Sequence, residues 1–375
     1  MKKILIISAD YTGFGHKSIA TSLTEIIDEK DDVDVKVVDG FTLIGKWAQQ
    51  ISRIYGPMTK YVPWVWAGFF KFGNLKNTPT FKHSPMEIAS ARRFFKLMDE
   101  YKPDLVVNVH PMFNKLIARH LENRYPNVPM VTIQADIVSI HKLWCEPKAY
   151  STICPTEEAY EASLELGMPK EKLKVIGFPT RKLFTDAARD AKPRIYDGKR
   201  PLRILMMSGG DGMGGMMDYV EHILYYTDAK VTVICGRNAT LKARIKRKLG
   251  TEYKGRLRVL GFINNVQEEM QKADLLLTRC SPNSLMEGVV MNIPLIMIGT
   301  LPGQEEANPI LAEKHRLGVK CFDHRELSRV IDSLMDNDMY EYKKIKQSQQ
   351  EYRNLDNARN IVEYLISVID ETKQN

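Results

Sequence analysis

A histidine preceded by two glycines follows the first apolar run of the chain, Lys3–Ser8. The loop contains Gly13 and Gly15, and His16 stands where a helical pattern begins. An imidazole titrates near neutral pH, so at the exit of a strand it can take a proton from an attacking hydroxyl. The alternative is that His16 only caps the helix. The pattern leaves both interpretations open.

His110 and Asp136 also follow predicted strands of the first half. Ligands of such sheets bind beyond the carboxyl ends of the strands, where these two residues and His16 all fall. A carboxylate and histidines at one sheet edge can form a base with its orienting partner. His141 follows shortly after Asp136, and a lone histidine is usually structural. The spacing shows no tight group of ligands for a metal.

The second half contains a glycine-rich segment, Ser208–Gly215, between a predicted strand and a predicted helix. Gly209, Gly210 and Gly212 allow backbone N–H groups to approach a phosphate, which the N-terminus of the helix also attracts. The alternative is a tight turn without a ligand. The segment lacks the Gly-Lys-Ser/Thr sequence of a Walker-type NTPase site, so that class is excluded.

Two later loops carry polar groups that suit a nucleotide sugar. In Thr278–Glu287, small polar residues can cap a helix whose N-terminus faces a pyrophosphate, and Glu287 can accept both ribose hydroxyls. The alternative for Glu287 is a solvated helix surface, where most glutamates lie. The loop Pro302–Asn308 carries amide and carboxylate groups that suit sugar hydroxyls, although an ordinary turn can have the same composition.

An aromatic segment at Tyr61–Gly73 includes Trp64 and Trp66, and lysines such as Lys60 and Lys71 interleave with its rings. Amphipathic aromatics combined with lysine suit the headgroup level of a bilayer, where apolar area and attraction to anionic lipids add. We therefore expect contact with a membrane surface here. The alternative is a buried helix of the first domain.

Short apolar runs alternate with helical patterns along both halves, which predicts doubly wound parallel sheets. The predicted strands are Lys3–Ser8, Val33–Val38, Leu105–Val109, Met130–Gln134, Ser151–Cys154, Lys174–Ile176, Arg203–Met207, Lys230–Cys235, Leu257–Leu260, Asp274–Thr278 and Leu295–Ile298. The charged segment 189–201 has two prolines and no apolar period, so it is predicted to link a first domain at 1–188 to a second at 202–339. We expect the helical segment 340–375 to return to the first domain.

Composition indicates a globular protein with more than one core. The chain has 375 residues, 44% of them hydrophobic and 27% charged, and no apolar run long enough to span a membrane. Five scattered cysteines and an N-terminus that turns polar at once predict reduced thiols in a cytoplasm. The net charge of +8 favours an anionic partner, either nucleic acid or an anionic membrane face.

These motifs, in this order, resemble the family of monogalactosyldiacylglycerol synthases and bacterial processive diacylglycerol glucosyltransferases. The resemblance covers most of the chain, from Lys3 to Phe322. The matching motifs are Gly13-x-Gly15-His16, Val109-His110-Pro111, Asp136 with His141 and Trp144, Cys154-Pro155-Thr156-Glu157-Glu158, Gly209-Gly210-Asp211-Gly212-Met213-Gly214, Ile234-Cys235-Gly236-Arg237-Asn238, Gly261-Phe262 and Pro302-Gly303-Gln304-Glu305. Each motif alone is a weak signal, whereas their joint order is specific.

The resemblance implies an α/β protein of GT-B fold, with two Rossmann-like doubly wound domains facing across a cleft, acceptor lipid on the first and UDP-sugar on the second. It implies that His16 is the catalytic histidine, that Asp136 is the acceptor-side acid, and that the anomeric centre is inverted without a cofactor or catalytic metal. The residues expected at the acceptor are Gly15, His110, Pro111, His141, Trp144, Trp64 and Trp66. Those expected at the donor are Gly209, Gly210, Gly212, Arg237, Phe262, Ser281, Asn283, Ser284, Glu287, Gly303, Gln304, Glu305 and Asn308.

The chain departs from the family pattern at Arg279–Ser284, where the family usually reads Lys-Ala-Gly-Pro-Gly-Thr. Ser281 and Asn283 replace both glycines, and each added side chain narrows the room for backbone approach to a phosphate. Ser284 keeps a hydroxyl where the family has threonine. We therefore expect this loop to influence which UDP-sugar the protein uses as donor.

The leading hypothesis is an inverting hexosyltransferase that moves glucose or galactose from its UDP-sugar to diacylglycerol at the inner face of the cell membrane. In this hypothesis His16, oriented by Asp136, deprotonates the lipid hydroxyl. The alternatives are transfer of N-acetylglucosamine to an undecaprenyl-linked precursor, and a non-catalytic membrane sensor with a degenerate donor site. The aromatic segment and the Pro-Gly-Gln-Glu loop favour diacylglycerol, and the retained Glu287 and Gln304 argue against the sensor. Nucleic-acid binding has no recognition motif to support it.

Overall fold

A computed structural model describes residues 1–10, 14–54, 56, 58, 62, 64, 65, 67, 68, 85–191, 195–207 and 215–374. The chain divides into two compact units. The first comprises Met1–Lys182, Leu301–Glu306 and Asp356–Asn375, and the second comprises Leu183–Thr300 and Ala307–Leu355. Across the described ranges, no helix combines the length and the apolarity needed to cross a membrane.

The first unit is an α/β layer structure. Its described strands are β1 (Lys2–Ser8), β2 (Val33–Asp39), β3 (Leu105–Asn108), β4 (Met130–Ile133), β5 (Ser151–Cys154) and β6 (Leu173–Val175). The helices along this part of the chain are α1 (Phe14–Ile27), α2 (Gly40–Ile44), α3 (Lys46–Ser52), α4 (Pro85–Tyr101), α5 (Asn114–Arg124) and α6 (Glu157–Glu165), with 3-10 turns at Pro111–Phe113, Lys142–Trp144 and Lys170–Lys172. The strands are all parallel and lie in the order β2-β1-β3-β4-β5-β6. The order reverses between β1 and β3, which makes that point the expected ligand-binding edge of the sheet.

β1 shows why this sheet forms from a continuous apolar run. Its residues from Ile4 to Ile7 are fully buried, as expected for a parallel strand covered on both faces. Leu5 and Ile7 belong to a core cluster with Val106 of β3 and Phe94 of α4. The same core therefore fixes the positions of β1 and β3, the two strands at the switch point.

The second unit repeats this architecture. Its strands are β7 (Arg203–Met207), β8 (Lys230–Ile234), β9 (Leu257–Leu260), β10 (Leu275–Thr278), β11 (Leu295–Met297) and β12 (Gly318–Lys320). Its helices are α7 (Lys182–Asp190), α8 (Met216–Tyr226), α9 (Ala239–Leu249), α10 (Val266–Lys272), α11 (Pro282–Val290), α12 (Asn308–Lys314) and α13 (Leu327–Tyr352), with a 3-10 turn at His324–Glu326. These strands are parallel and lie in the order β12-β11-β10-β7-β8-β9, so this sheet reverses between β7 and β10.

The second unit begins earlier in the chain than the predicted domain boundary at residue 188. From Leu183 onward, α7 belongs to the second unit. Phe184 is fully buried, and the side-chain amide of Gln271 donates to the carbonyl of Ala187 at 3.1 Å. An apolar anchor and a side-chain bond thus attach this helix to the unit that follows it.

The described part of the predicted linker, residues 195–201, also packs into the second unit. Tyr196 is buried in the core cluster of that unit, and its hydroxyl donates to the carbonyl of Arg200 at 2.5 Å. The Arg200 guanidinium forms two 2.7 Å bonds to Asp274. Tyr196 and Arg200 therefore attach this segment to the second unit, and the predicted linker is corrected to a part of that unit.

The segment that returns to the first unit begins later than the predicted residue 340. Tyr342 and Ile345 of α13 lie in the core of the second unit. Gln349 Nε2 donates to the carbonyls of Ile293 and Leu317 at 2.8 and 2.7 Å, which holds the end of α13 there as well. The return is therefore limited to Asp356–Asn375.

The last helix of the described chain, α14 (Asn357–Gln374), packs against α1 in the first unit. It buries Ile361 and Leu365 among the apolar residues on one of its faces. At its start, the Asn357 amide donates to the Phe178 carbonyl at 3.3 Å. Gly177 has φ +116°, and a Cβ at this position would lie 2.4 Å from Asn357 side-chain atoms, so the close approach requires glycine.

Candidate active site

The carboxyl edge of the first sheet gathers the predicted acceptor-side residues. β1 pairs with β3 and β3 pairs with β4, and these strands precede His16, His110 and Asp136 respectively. The rings of His16 and His110 lie 4.4 Å apart between centroids, and the Trp144 ring lies 6.0 Å from that of His16. The predicted proximity of the two histidines at this edge is confirmed. Gly15 adjoins this cluster through its peptide bond to His16.

The tautomer of His16 follows from its backbone contact. Its Nδ1 lies 2.7 Å from the carbonyl oxygen of Val109. A carbonyl oxygen can only accept, so Nδ1 carries the proton in the neutral ring and Nε2 keeps its lone pair. Burial lowers the pKa of His16 to about 4, and the bond to Val109 opposes this shift in part. His16 is therefore a neutral imidazole at pH 7, with Nε2 as its proton-accepting atom.

Asp136 is held by two side-chain donors. Trp144 Nε1 donates to its Oδ2 at 2.6 Å, and Gln304 Nε2 donates to its Oδ1 at 2.8 Å. The carboxyl group is 3% exposed, and burial raises its pKa to about 6, while both hydrogen bonds act in the opposite direction. Neither bond involves His16. The expected orientation of His16 by Asp136 is therefore corrected, because the Val109 carbonyl orients the imidazole.

His110 and His141 each cap a 3-10 turn. His110 Nδ1 accepts from the Met112 N–H at 3.4 Å, directly before Pro111, and His141 Nδ1 accepts from the Leu143 N–H at 3.1 Å. Burial and the neighbouring His16 hold the pKa of His110 well below its usual value. Both imidazoles thus have local structural contacts that shape the loops around His16.

Asn114, at the start of α5, holds the Trp144 loop in place. Its Nδ2 donates to the carbonyls of Leu143 and Trp144 at 3.0 and 3.1 Å. Its Oδ1 accepts from the Thr132 hydroxyl at 2.8 Å and from the side-chain amide of Asn108. Sequence reasoning missed this residue because an asparagine near a helix start is common. Its only signal is its position three residues after the Val-His-Pro motif.

The loop residues predicted for the donor sugar lie in the segment Leu301–Glu306, which belongs to the first unit. Gln304 contacts the predicted acceptor-side acid Asp136, and its Oε1 is buried without a hydrogen-bond partner among the described residues. Glu305 is buried and its Oε2 accepts from the Leu301 N–H at 2.7 Å. Gly303 has φ +84°, a conformation that favours glycine. A polar ligand group can therefore satisfy Gln304 Oε1 directly beside Asp136.

In the second unit, the loops after β10 and β11 meet around the start of α11. Ser281 is the N-cap residue of α11, and its hydroxyl donates to the Ser284 hydroxyl at 3.1 Å. Asn308 Nδ2 donates to the Cys280 carbonyl at 2.9 Å, while its buried Oδ1 has no hydrogen-bond partner in the described part. Asn283 and Glu287 lie half-buried on the same helix.

The loops after β8 and β9 bring Arg237 and Phe262 together. The Arg237 guanidinium lies 5.3 Å from the centroid of the Phe262 ring, and that ring is 53% exposed. β8 and β9 are neighbours, so these two residues share the carboxyl edge of the second sheet with Ser281. An exposed aromatic ring under a cation can stack on a flat base.

Several predicted residues lie outside the described part of the chain. These are Gly209, Gly210, Gly212 and Trp66. Within the aromatic segment, Trp64 is described and is 72% exposed, and Trp47 upstream is 54% exposed. The described residues contain no group of three or more His, Cys, Asp or Glu side chains that could hold a metal ion.

Known proteins resemble both halves of the chain. Residues 16–180 match the family model described as monogalactosyldiacylglycerol (MGDG) synthase, and residues 217–359 match the glycosyltransferase family 28 C-terminal domain. Monogalactosyldiacylglycerol synthase 2 of Arabidopsis thaliana is 27% identical over 350 residues, which cover 88% of this chain and 73% of the relative. The synthase of Spinacia oleracea is 24% identical, and the match covers 88% of this chain but only 65% of that relative, less than two thirds of its length.

Solved structures share the fold at low identity. MurG of Acinetobacter baumannii has a TM-score of 0.68 at 12% identity, covering 98% of this chain and 100% of MurG. UGT2 of Phytolacca americana, complexed with UDP-2-fluoro-glucose and pterostilbene, has a TM-score of 0.65 at 11% identity, covering 99% of this chain and 100% of UGT2. The predicted GT-B fold is confirmed. The first half of the chain thus matches the monogalactosyldiacylglycerol synthase model and the second half matches the family 28 domain, and together with the fold these matches identify a GT-B glycosyltransferase of the family 28 type.

Proposed function

We propose that the chain transfers a hexose from UDP-glucose or UDP-galactose to the hydroxyl of diacylglycerol, with inversion at the anomeric carbon. The observation that carries the proposal is the state of His16, a neutral imidazole whose Nδ1–H is bound to the Val109 carbonyl and whose Nε2 can accept a proton. The relatives named monogalactosyldiacylglycerol synthases support diacylglycerol as the acceptor.

The reaction is a single displacement. The lipid hydroxyl oxygen forms a bond to the anomeric carbon, the bond from that carbon to the UDP oxygen breaks, and UDP leaves with the bonding electrons. The hydroxyl proton passes to His16 Nε2, and the Nδ1–H to Val109 keeps the ring in the orientation that presents Nε2. Inversion follows because the oxygen attacks from the side opposite the departing UDP.

The low pKa of His16 sets the timing of proton transfer. A base with a pKa of about 4 cannot remove the proton from a free alcohol before attack. The hydroxyl becomes acidic only as its oxygen bonds to the anomeric carbon, so proton transfer must accompany bond formation. In the proposal Asp136, when ionised, contributes negative charge that favours the imidazolium as it forms.

The donor is proposed to bind the carboxyl edge of the second sheet. Phe262 and Arg237 offer a platform for the uracil ring, and the N-terminus of α11 at Ser281 offers backbone N–H groups to the diphosphate. Glu287 would accept the ribose hydroxyls. These groups would meet the charge of departing UDP without a metal, so we expect activity to persist in the presence of a chelator.

The test is an incubation of the purified full chain with diacylglycerol vesicles and a panel of UDP-sugars, followed by mass spectrometry of the lipids. We expect a hexosyl diacylglycerol from UDP-glucose or UDP-galactose. A product only from UDP-N-acetylglucosamine and a polyprenyl-linked acceptor, supplied as a separate arm, would overturn the proposal.

The role of His16 is tested with His16→Ala against His324→Ala, a half-exposed histidine in the second unit. We expect His16→Ala to lower turnover at least 100-fold, the order usual for loss of a general base, with UDP affinity unchanged. His324→Ala should keep full turnover. A fully active His16→Ala variant would remove His16 from the mechanism.

The proposal places the enzyme on the inner face of the cell membrane, where its lipid acceptor resides. The exposed rings of Trp64 and Trp47 and the exposed side chains of Ile51 and Ile54 support this placement, since they can insert at the headgroup level. Anionic lipids would strengthen the attachment through the positive charge of the chain.

A further inference from the structure

A cavity of about 500 Å³ lies at the amino ends of β7, β8 and β9 in the second unit. This volume falls in the range of small-molecule sites. The residues proposed to hold the donor, Phe262 and Ser281 among them, follow the carboxyl ends of strands in the same sheet. The cavity is therefore at the opposite edge of the sheet and takes no part in the proposed reaction.

The cavity is strongly basic. Its lining contains five cationic side chains and a single carboxylate, namely Arg203, Lys230, Arg256, Arg258, Lys272 and Glu269. The excess of four positive charges compares with a net charge of +8 for the whole chain. Positive charge is thus concentrated around one cavity that is open to solvent and is not spread evenly over the surface.

Only part of this charge is neutralised by the protein. Glu269 pairs with Arg258 and, at 3.0 Å, with Lys272. Across the described ranges, Arg203, Lys230 and Arg256 have no acidic side chain within ion-pair distance. The Arg256 guanidinium donates to the carbonyls of Ala229 and Thr227, which fix its position without removing its charge.

The three unneutralised cations lie side by side across neighbouring strands. Arg203 of β7 is in register with Lys230 of β8. Val231, the next residue of β8, donates its N–H to the Arg256 carbonyl at 2.7 Å, which continues the row to the start of β9. Adjacent strands are only about 4.8 Å apart, so like charges at these positions repel each other. A bound anion would remove that repulsion.

The chemistry of the row matches a phosphate group. Two arginines offer planar forks of N–H donors and the lysine offers a point charge, the combination that binds phosphate oxygens. None of the large apolar side chains that are exposed in the described residues lines this cavity, so it lacks the apolar contacts of a membrane-surface site. We propose that the cavity binds the phosphate group of a soluble phosphorylated small molecule.

The probe for this site is glycerol 3-phosphate, titrated calorimetrically into the full chain in saturating UDP, so that a donor site is already filled. The test variant is Arg203→Gln with Lys230→Gln. The matched control is Arg244→Gln with Lys246→Gln, which removes the same charges from exposed positions on α9. We expect about tenfold or greater weakening in the test variant and unchanged affinity in the control. The thermal midpoint of the test variant without phosphate should be no lower than that of the wild type, which checks its fold.

Three results would overturn the proposal. The first is wild-type affinity in the test variant, and the second is equal loss in both variants, which would indicate only general attraction by net charge. The third is binding to vesicles that contain an anionic phospholipid, lost in the test variant, without any binding of glycerol 3-phosphate. That result would assign the cations to a lipid headgroup. These readouts do not depend on glycosyl transfer, so failure of the proposed function leaves them intact.

Discussion

Replacing His16 by glutamine should change how the stability of the first unit depends on pH. Glutamine can still donate to the Val109 carbonyl but cannot titrate between pH 5 and 7. In the folded wild type, burial lowers the pKa of His16 to about 4 from an ordinary value of 6.5. Between about pH 6.5 and pH 4, His16 therefore binds a proton in the unfolded chain but not in the folded chain, so acid favours unfolding.

The size of this effect follows from the shift in pKa. One pKa unit corresponds to about 1.4 kcal/mol, so the linkage between pH 7 and pH 5 costs the wild type about 2 kcal/mol of unfolding free energy. The glutamine variant avoids this loss. The difference in unfolding free energy, wild type minus variant, should therefore fall by about 2 kcal/mol over this range, whatever its value at pH 7.

Tryptophan fluorescence during urea unfolding can measure this difference, because all four tryptophans lie in the first unit. All other ionisable groups are the same in both proteins, so their contributions largely cancel from the comparison. A difference that stays flat between pH 7 and pH 5 would refute the assignment of His16 as a buried, neutral imidazole.

Two further predictions concern the acid and the aromatic segment. Trp144→Phe removes the donor to Asp136 Oδ2. Burial raises the pKa of this carboxyl to about 6 even though the Trp144 bond lowers it, so losing the bond should raise the pKa further and move the acidic limb of the pH–rate profile up by about one unit. An unmoved limb would show that the protonation of Asp136 does not affect the rate. Trp64→Ala with Trp66→Ala should reduce co-sedimentation with anionic vesicles, whereas Tyr226→Ala, which removes an exposed ring of α8, should not. Unchanged co-sedimentation of the double variant would show that these two rings do not contribute to vesicle binding.

The strands of both sheets could be predicted from the sequence because they are short runs of branched apolar residues. Ser151–Cys154, Arg203–Met207 and Leu257–Leu260 were predicted with the bounds that the structure has. β12 was missed, since the three residues Gly318–Lys320 give too short a signal to separate from a turn. The predicted domain boundary lies too late in the chain because the segment 189–201 is mostly charged and has only one buried aromatic residue, Tyr196, to indicate that it packs into the second unit.

Part of the candidate site could be predicted from the sequence, because parallel strands bring the residues that follow them to one edge of the sheet. Strand order alone brings His16 and His110 to one edge of the sheet. The group that orients His16 is the backbone carbonyl of Val109. Because every residue has a backbone carbonyl, no residue type in the sequence could have predicted this contact. Gln304 was expected at the donor, and its contact with Asp136 joins positions 168 residues apart in the chain, which a local pattern cannot reveal.

The first unit consists of three separate segments of the chain, which limits how far it can fold during synthesis on the ribosome. Its sheet is encoded early, yet α14 and the Leu301–Glu306 loop are encoded after most of the second unit. Until α14 emerges, the apolar side chains of α1 that it covers face solvent, so the nascent chain presents an unfinished surface during much of its synthesis. The second unit needs no residue beyond Leu355, so it can reach its native packing before the first unit does.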